Sequence, residues 1–377
     1  MRASYFLLIT LGFHAAAGQT AKPAAPSGAA DFLRAGIAAE QRGDNRSAIE
    51  DFRKALAIEP KMAEAHAGLG AALAAAGQLD EAIDQDLMAL AAAPNKTAVR
   101  MNLATAYFKK NDLANARAQA EALHAAVPDD VAAAVLLGTV YIKMGREAEA
   151  LDLLTPLEQG HESDMDLEYV LAFSLIQTGR DKDGVPRMEK VARARHLASA
   201  YVIAGASHLH KGEMDTARID LDAAMSLDPK TPGLATMAGQ ARYAMKDMAS
   251  AAAAFQVALR ANPTDPTANL DLGAIRLEEG DYKNARPLLE LALQLQPELP
   301  LARMEMAKLD VVTGHYADAA TTLEALVKDE PNWFDAHWEL ASVYTELNRP
   351  EDGRRERMIA QELRARAHAE SKDHNTP

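Results

Sequence analysis

Large apolar residues return along the chain at spacings that fit one face of an α-helix rather than the alternation of a β-strand. Two positions of a 34-residue period carry most of this bulk. The seventh position holds Leu69, Leu103, Leu137, Leu171, Leu272, Met306 and Leu340, and the twenty-fourth holds Phe52, Leu154, Met188, Leu221, Phe255, Leu289 and Leu323. The pattern predicts two amphipathic helices in each period, stacked against those of the next period.

The period can be laid over the chain from a series of prolines at its thirty-second position. These are Pro60, Pro94, Pro128, Pro229, Pro263, Pro297 and Pro331. The copies then begin at Ala29, Ala63, Thr97, Val131, Met165, Ala198, Pro232, Pro266, Pro300 and Phe334. Every step is 34 residues except the 33-residue step from Met165 to Ala198, so the sequence predicts ten copies.

Two further positions are restricted to small residues. The eighth and the twentieth are Ala or Gly in all ten copies, which predicts that the two helices of a copy cross there at close range. The fifteenth position is Gly or Asn except at Lys246, which predicts a left-handed residue in the turn between the helices.

The regular pattern weakens in the fourth and fifth copies. Pro156 falls inside the predicted second helix, and Glu162 and His196 replace the proline at the thirty-second position. We expect a kink or a change of superhelical pitch between about Thr155 and His196. The alternative is sequence drift in a tolerant array, with no change in the stacking.

These repeated residues resemble the tetratricopeptide repeat family over roughly Ala29 to Ala369. The aromatic residue usual at the fourth position of that family is kept only as Phe32 and Tyr201. The resemblance implies an all-α fold, an alpha-alpha superhelix built as a right-handed solenoid of about ten helix-turn-helix repeats. The mixed charges from about Pro350 to Ala369 predict a final helix that caps the array.

The resemblance also implies a concave groove lined by the first helix of each copy. In the third to sixth copies the corresponding positions are largely apolar and predict a partner-binding groove. They are Met101, Thr105, Phe108, Val135, Thr139, Ile142, Tyr169, Phe173, Ile176, Val202 and Leu209. The flanking copies are more polar, with Glu40, Gln41, Glu278, Asp335 and Glu346. The alternative is that these residues pack against the neighbouring helix, or form a closed interior, with no ligand.

Some co-chaperones of this family clamp a C-terminal carboxylate with Lys and Asn at fixed positions of the groove, the fifth position among them. No copy here has Lys or Arg at that position, and Asn102 is an isolated match, which argues against such a clamp. We therefore expect the partner to be an apolar or amphipathic segment of a protein.

The N-terminus has the pattern of a secretory signal peptide: Arg2, then an apolar run from Tyr5 to Phe13, then Ala15 to Ala17. The sequence thus predicts a signal peptide at 1–17, a flexible linker at 18–28, the repeats at 29–369 and a disordered tail at 370–377. This organisation predicts an extracytoplasmic protein, periplasmic or secreted if the host is bacterial, with no membrane span in the mature chain.

Composition narrows the chemistry further. The chain has no Cys, which excludes disulfides, thiolate metal sites and cysteine nucleophiles, and its net charge of −14 disfavours nucleic acid as a partner. His208 and His210 lie two apart on a helix, so they point to different faces, and the cluster His161–Asp164 fits a solvated loop.

We expect no enzyme activity, no catalytic residues, no metal and no cofactor. The sequence predicts an interaction scaffold of the cell envelope or secreted space. The main alternative is an accessory subunit of an envelope enzyme or of a secretion or polysaccharide-assembly complex, and a weaker one is a cytoplasmic co-chaperone.

Overall fold

The computed structural model describes residues 28–373, and side chains up to residue 367. The predicted signal peptide and most of the linker therefore lie outside the described residues, as does the end of the tail. The chain divides into two compact units, 1–200 and 201–377. Each described part consists of α-helices joined by short turns, so the predicted all-α fold of helix-turn-helix repeats is confirmed.

The first unit contains five helix pairs and the start of a sixth. Its helices are α1 Ala29–Gln41, α2 Asn45–Ile58, α3 Ala63–Ala75, α4 Leu79–Ala92, α5 Thr97–Lys109, α6 Leu113–Ala126, α7 Val131–Lys143, α8 Glu147–Leu154, α9 Met165–Gln177 and α10 Asp181–Arg195. Within this unit each described helix packs against the next along the chain, and the first helices of neighbouring copies also touch.

The second unit contains most of the sixth copy and the four copies that follow it. Its helices are α11 Ala198–Lys211, α12 Met214–Leu227, α13 Leu234–Ala244, α14 Met248–Ala261, α15 Pro266–Glu278, α16 Tyr282–Leu295, α17 Pro300–Val312, α18 Tyr316–Asp329, α19 Phe334–Glu346 and α20 Pro350–Asp373. The predicted boundary at residue 369 falls inside α20, because this helix continues to Asp373.

Most copies begin where the period places them, and α13 is the exception. It starts at Leu234 instead of Pro232, because Gly233 adopts a left-handed φ of 76° at the N-cap and delays the first helical turn. In the turns inside the copies, every residue at the fifteenth position has a positive φ, as predicted. Lys246 does so too, with φ 64°, so the turn imposes this conformation even on a side chain that disfavours it.

The small residues mark real close approaches between helices. A Cβ built on Gly239 would lie 2.5 Å from Cε1 of Phe255, which is fully buried at the twenty-fourth position of the same copy. At Gly184 the obstacle is backbone, since a Cβ would lie 2.9 Å from the carbonyl oxygen of Ala172. The predicted crossing at the eighth and twentieth positions is therefore present.

Polar side chains at the fourth position form a repeated hydrogen bond that the sequence did not reveal. Each donates to the carbonyl of the proline six residues earlier, at the thirty-second position of the preceding copy. The donors are His66 (3.0 Å to the Pro60 oxygen), Arg100 (3.2 Å, Pro94), Asn269 (3.0 Å, Pro263), Arg303 (2.9 Å, Pro297) and His337 (3.0 Å, Pro331). This bond ties the entry of each of these copies to its own first helix, where the family usually has an aromatic ring.

The fourth and fifth copies differ as the sequence indicates. Helix α8 ends at Leu154 after only eight residues, and a 3-10 turn at Thr155–Leu157 follows, because Pro156 cannot continue the helical hydrogen bonds. Glu162 stands where proline is expected, and there Lys190 donates to its carbonyl oxygen at 2.8 Å and to Glu168 Oε1 at 2.6 Å. The helix interruption is thus present, while the change of pitch stays a prediction.

Candidate partner-binding surface

Nine of the eleven predicted groove residues lie in the first unit, on the first helices α5, α7 and α9. Because α5 packs against α7 and α7 against α9, equivalent positions form rows across the three helices. The fifth position gives the row Met101, Val135 and Tyr169; the ninth gives Thr105, Thr139 and Phe173; and the twelfth gives Phe108, Ile142 and Ile176. We call these nine residues the middle face.

The middle face is apolar but not sealed. Val135 and Tyr169 are buried, each 6% exposed, whereas the other seven side chains are half-buried. Burial raises the pKa of the Tyr169 hydroxyl to about 12, so this phenol stays neutral at any physiological pH. The middle face therefore has seven partly accessible side chains beside the two buried ones, Val135 and Tyr169.

The two threonines add little polarity to the middle face. The Thr105 hydroxyl donates to the Met101 carbonyl at 2.8 Å, and the Thr139 hydroxyl donates to the Val135 carbonyl at 2.7 Å. Both bonds run to the residue four positions earlier in the same helix, which leaves the methyl groups to contact a neighbour. The hydroxyls are satisfied within the helix.

The remaining two predicted residues belong to the second unit. Val202 is fully buried and Leu209 is half-buried. The Val202 side chain therefore offers no accessible surface to a partner in this structure. The five polar residues that flank the apolar positions, Glu40, Gln41, Glu278, Asp335 and Glu346, are all exposed.

One exposed aromatic residue lies outside the predicted set. Trp338 occupies the fifth position of the tenth copy and is 43% exposed, with its ring stacked on Phe334 at a centroid distance of 5.9 Å. The guanidinium of Arg357 lies 5.6 Å from the centre of the Trp338 ring. Its fifth position matches the predicted register, but the prediction was confined to the apolar third to sixth copies, and Asp335 and Glu346 make the tenth copy polar.

The polar side chains of the His161–Asp164 loop and of His208 contact other protein groups. His161 Nδ1 lies 2.9 Å from the Leu157 carbonyl, and Glu162 accepts from the Gly160 amide at 3.0 Å, so both belong to the local loop. In the second unit His208 Nδ1 lies 2.5 Å from Glu213 Oε2.

Comparison with known families gives the same repeat. Tetratricopeptide repeats match residues 33–97, 101–155 and 236–300, and a second description of this repeat matches residues 276–343. No curated protein matches the chain. No helix within the described residues is both long and apolar enough to cross a bilayer.

Solved structures share the fold at low sequence identity. A tetratricopeptide repeat protein from Parabacteroides merdae is 17% identical, with a TM-score of 0.51, over 65% of this chain and 97% of that one. A chain of the APC/C hetero-tetramer Cut9–Hcn1 is 16% identical, with a TM-score of 0.50, over 84% of this chain and 62% of that one. With the repeat matches spanning more than half of the sequence, the chain belongs to the tetratricopeptide repeat family.

Proposed function

We propose that this protein is a non-catalytic scaffold that works outside the cytoplasm and holds an apolar or amphipathic segment of a partner protein on its middle face. The observation that carries the proposal is the apolar face across α5, α7 and α9, in which seven of the nine side chains are half-buried. Tetratricopeptide repeats act as protein-binding scaffolds, which supports the general class. We assign the binding site for the partner segment to the middle face.

The shape of the surface favours a helix or an extended segment as the ligand. Rows from three parallel helices give anchors at regular intervals, which suits a segment whose apolar side chains repeat along one face. Phe108 and Phe173 are the two aromatic side chains among the seven half-buried residues of the middle face. Aromatic residues contribute most to interfaces of this kind, so we assign them the largest share of the binding free energy.

The location outside the cytoplasm rests on the sequence of residues 1–17. A charged residue followed by a short apolar run and small residues supports export with cleavage. N-terminal sequencing of the protein purified from its host tests this part. A mature chain that starts between Ala17 and Gly28 is expected, and a chain that keeps Met1 would contradict export by this route.

The binding surface can be tested by photo-crosslinking in intact cells. A benzoylphenylalanine residue is placed at position 108 or 173, and in control proteins at Ile58 or Met88, which are 54% and 50% exposed on the second helices α2 and α4. We expect the same crosslinked partner from both middle-face positions and no such product from the controls. Crosslinks from the control positions alone would move the interface to the second helices.

The affinity of that partner gives a second readout. Phe108→Glu/Phe173→Glu is expected to weaken binding about 100-fold, because two aromatic anchors each contribute roughly 1–2 kcal/mol. Ile58→Glu/Met88→Glu is the matched control and is expected to leave the dissociation constant unchanged. Circular dichroism confirms that each variant stays helical, and equal affinities in folded variants would refute the proposed surface.

A further inference from the structure

A tyrosine and an arginine form the same contact in the fourth and tenth copies. In the fourth copy the guanidinium of Arg146, at the sixteenth position, lies 4.8 Å from the centre of the Tyr141 ring, at the eleventh position. In the tenth copy the guanidinium of Arg349 lies 4.2 Å from the centre of the Tyr344 ring. The face of each ring therefore attracts the positive charge of an arginine in its own copy.

The surroundings of this contact repeat as well. Each tyrosine hydroxyl donates to a glutamate at the twenty-fifth position of the preceding copy, at 3.4 Å to Glu121 and at 2.8 Å to Glu324. Each arginine forms an ion pair with the acidic residue three positions later, Glu149 or Asp352. A ring, a cation against its face and a carboxylate at its hydroxyl thus form one unit between two successive copies.

The fifth copy keeps the arginine of this unit but not the tyrosine. Arginine occupies the sixteenth position in one further copy, as Arg180, which pairs with Asp183 at 2.9 Å in the same way as its counterparts. The eleventh position of this copy is Leu175, and the twenty-fifth position of the preceding copy is Thr155. The fifth copy therefore has the cation of the unit without its tyrosine and its glutamate.

A cavity of about 320 Å³ lies at this place. Leu175, Arg180 and Thr155 all line it, and these are the three positions that hold tyrosine, arginine and glutamate in the other two copies. Leu151 and Leu171 add further apolar lining. Since an apolar cavity of about 150 Å³ is enough to hold benzene, a single aromatic ring fits this space.

The polar groups of the cavity favour a ring that carries a hydroxyl. The Thr155 hydroxyl donates to the Leu151 carbonyl at 2.7 Å, so its oxygen is left to accept a second hydrogen bond. Glu158 also lines the cavity, and one of its carboxylate oxygens is paired with Arg187 at 2.5 Å. Both side chains can accept from a phenolic hydroxyl, as the glutamates do in the other two copies.

We propose that the cavity between α8, α9 and α10 binds a phenol ring supplied from outside this chain, either a tyrosine side chain of another protein or a small free phenol. The ring would lie against Leu171 and Leu175, with the guanidinium of Arg180 at its face, and so complete the unit. The cavity lies on the side of α9 away from Phe173, since residues two apart on a helix point about 200° apart. The inference is therefore independent of the proposed function.

Titration of the full-length protein with 4-methylphenol, which is the tyrosine side chain as a free molecule, tests this site. Leucine methyl NMR spectra report the shifts of Leu151, Leu171 and Leu175 and give the dissociation constant. The control ligand is 4-methylcyclohexanol, which has the same hydroxyl and methyl group but no aromatic face. We expect 4-methylphenol to shift these three methyl signals and to bind at least about threefold more tightly than the control ligand, because only an aromatic face attracts the guanidinium.

Four variants separate the proposed site from general apolar binding. Leu175→Tyr supplies the missing ring and should weaken the binding of 4-methylphenol at least about tenfold, whereas Tyr141→Leu should create a second site of similar affinity beside Arg146. Arg180→Gln changes a side chain that is 60% exposed and should weaken binding about threefold. Arg146→Gln is its matched control and should leave the dissociation constant unchanged, because the ring of Tyr141 already fills that place.

N-acetyltyrosinamide distinguishes the two sources of the ring. An affinity similar to that of 4-methylphenol would assign the site to a tyrosine within a protein, and binding of 4-methylphenol alone would assign it to a free phenol. The inference fails if 4-methylphenol does not bind, if 4-methylcyclohexanol binds equally well, or if binding survives unchanged in Leu175→Tyr that is folded by circular dichroism. Should Leu175→Tyr not fold, unchanged affinity in Arg180→Gln together with no second site in Tyr141→Leu would also overturn it.

Discussion

At the scale of single residues, Asp86 is the least expected side chain of the described core. It lies at the twenty-fourth position of the second copy, where other copies have Phe52 or Leu289. It is 0% exposed, and neither carboxylate oxygen has a hydrogen-bond partner in the structure. Gly70 makes room for it, because a Cβ there would collide with the carboxylate. Burial alone raises the pKa of Asp86 to about 7.

No charged group offsets this burial, and the polar side chains of the adjacent helices have other partners. On α3, His66 Nδ1 lies 2.7 Å from Gln85 Oε1, and its Nε2 donates to the Pro60 carbonyl. On α5, Arg100 is bonded to Gln119 and the Pro94 carbonyl. No charge contributes to the shift, so the carboxyl is protonated in the folded protein at mildly acidic pH.

The raised pKa predicts that stability falls as the pH rises. The unfolded chain ionises Asp86 near pH 4, whereas the folded protein keeps its proton up to about pH 7, so between these values the unfolded state binds fewer protons. The contribution of Asp86 to the free energy of unfolding should fall by up to about 1.4 kcal/mol per pH unit, roughly 4 kcal/mol in all. Hydrogen exchange of peptides from α3, α4 and α5 between pH 4 and 8, corrected for intrinsic rates, measures this locally.

Two variants at this position separate charge from packing. Asp86→Asn keeps the shape and should remove the pH dependence in α3 to α5, and Asp86→Leu should also raise stability, since Leu289 faces Gly273 in the same way. Peptides from the second unit serve as the internal control. The same pH slope in Asp86→Asn and wild type would mean that Asp86 is already ionised in the folded protein.

At the scale of helices, the eighth and twenty-fourth positions of a copy are coupled in size. Phe52 and Phe255 both face glycine, at Gly36 and Gly239, whereas Leu323 occurs in a copy with Ala307. Phenylalanine at the twenty-fourth position thus occurs only with glycine at the eighth, whereas leucine occurs with glycine, as in Gly273 and Leu289, and with alanine. The sequence shows both positions separately, but their pairing emerges only when the two helices are seen to cross.

This coupling predicts the result of a double substitution. Gly239→Ala should destabilise the second unit by about 1–3 kcal/mol, although alanine has the better helix propensity, because the new methyl group meets the ring of Phe255. Gly239→Ala/Phe255→Leu should lose less than the sum of the single substitutions, since it recreates the pair Ala307 and Leu323. Urea unfolding followed by circular dichroism gives the coupling free energy, and strictly additive effects would contradict this account.

Helix boundaries were readable from the sequence because glycine, proline and the period act locally. Pro156 stops α8 and the fifteenth position ends the first helix of every copy by backbone geometry alone. The hydrogen bonds at the fourth position could not be predicted in the same way. The side chains that form them differ chemically and share only a hydrogen-bond donor: His66, Arg100, Asn269, Arg303 and His337. The resemblance leads one to expect an aromatic residue at this position, so it gives no sign of a shared hydrogen bond.

For the molecule as a whole, the sequence predicts the repeat far better than the ligand. Nine of the eleven predicted residues lie on the three neighbouring first helices α5, α7 and α9, and their role in binding stays a prediction. How much of each side chain stays accessible depends on packing between copies, which is why Val202 is fully buried although its position matches that of Met101. The identity of the partner is not encoded in the stacking of the copies.

Modular stacking predicts that a whole copy can be removed from the second unit without loss of the fold. Deleting residues 266–299 joins Asp265 directly to Pro300, and both α15 and α17 begin with proline. In the wild type, Asp265 caps α15 by accepting hydrogen bonds from the amides of Thr267 and Ala268, whereas α17 has no side-chain cap. The deletion should therefore place Asp265 as the N-cap of α17. Arg303 should then bond the Pro263 carbonyl in place of that of Pro297, because both prolines hold the thirty-second position.

We expect this deletion variant to keep the ellipticity per residue at 222 nm and a cooperative urea transition, with a lower midpoint because one interface between copies is lost. Deleting residues 266–282 is the matched control. It removes one first helix and shifts the register by half a copy, so each following second helix would have to take the place of a first helix. This half-copy deletion should lose the cooperative transition of the second unit, as hydrogen exchange of α16 to α19 would show. Equal behaviour of the two deletions would mean that stability does not depend on the 34-residue register, and the account of the fold as stacked equivalent copies would then fail.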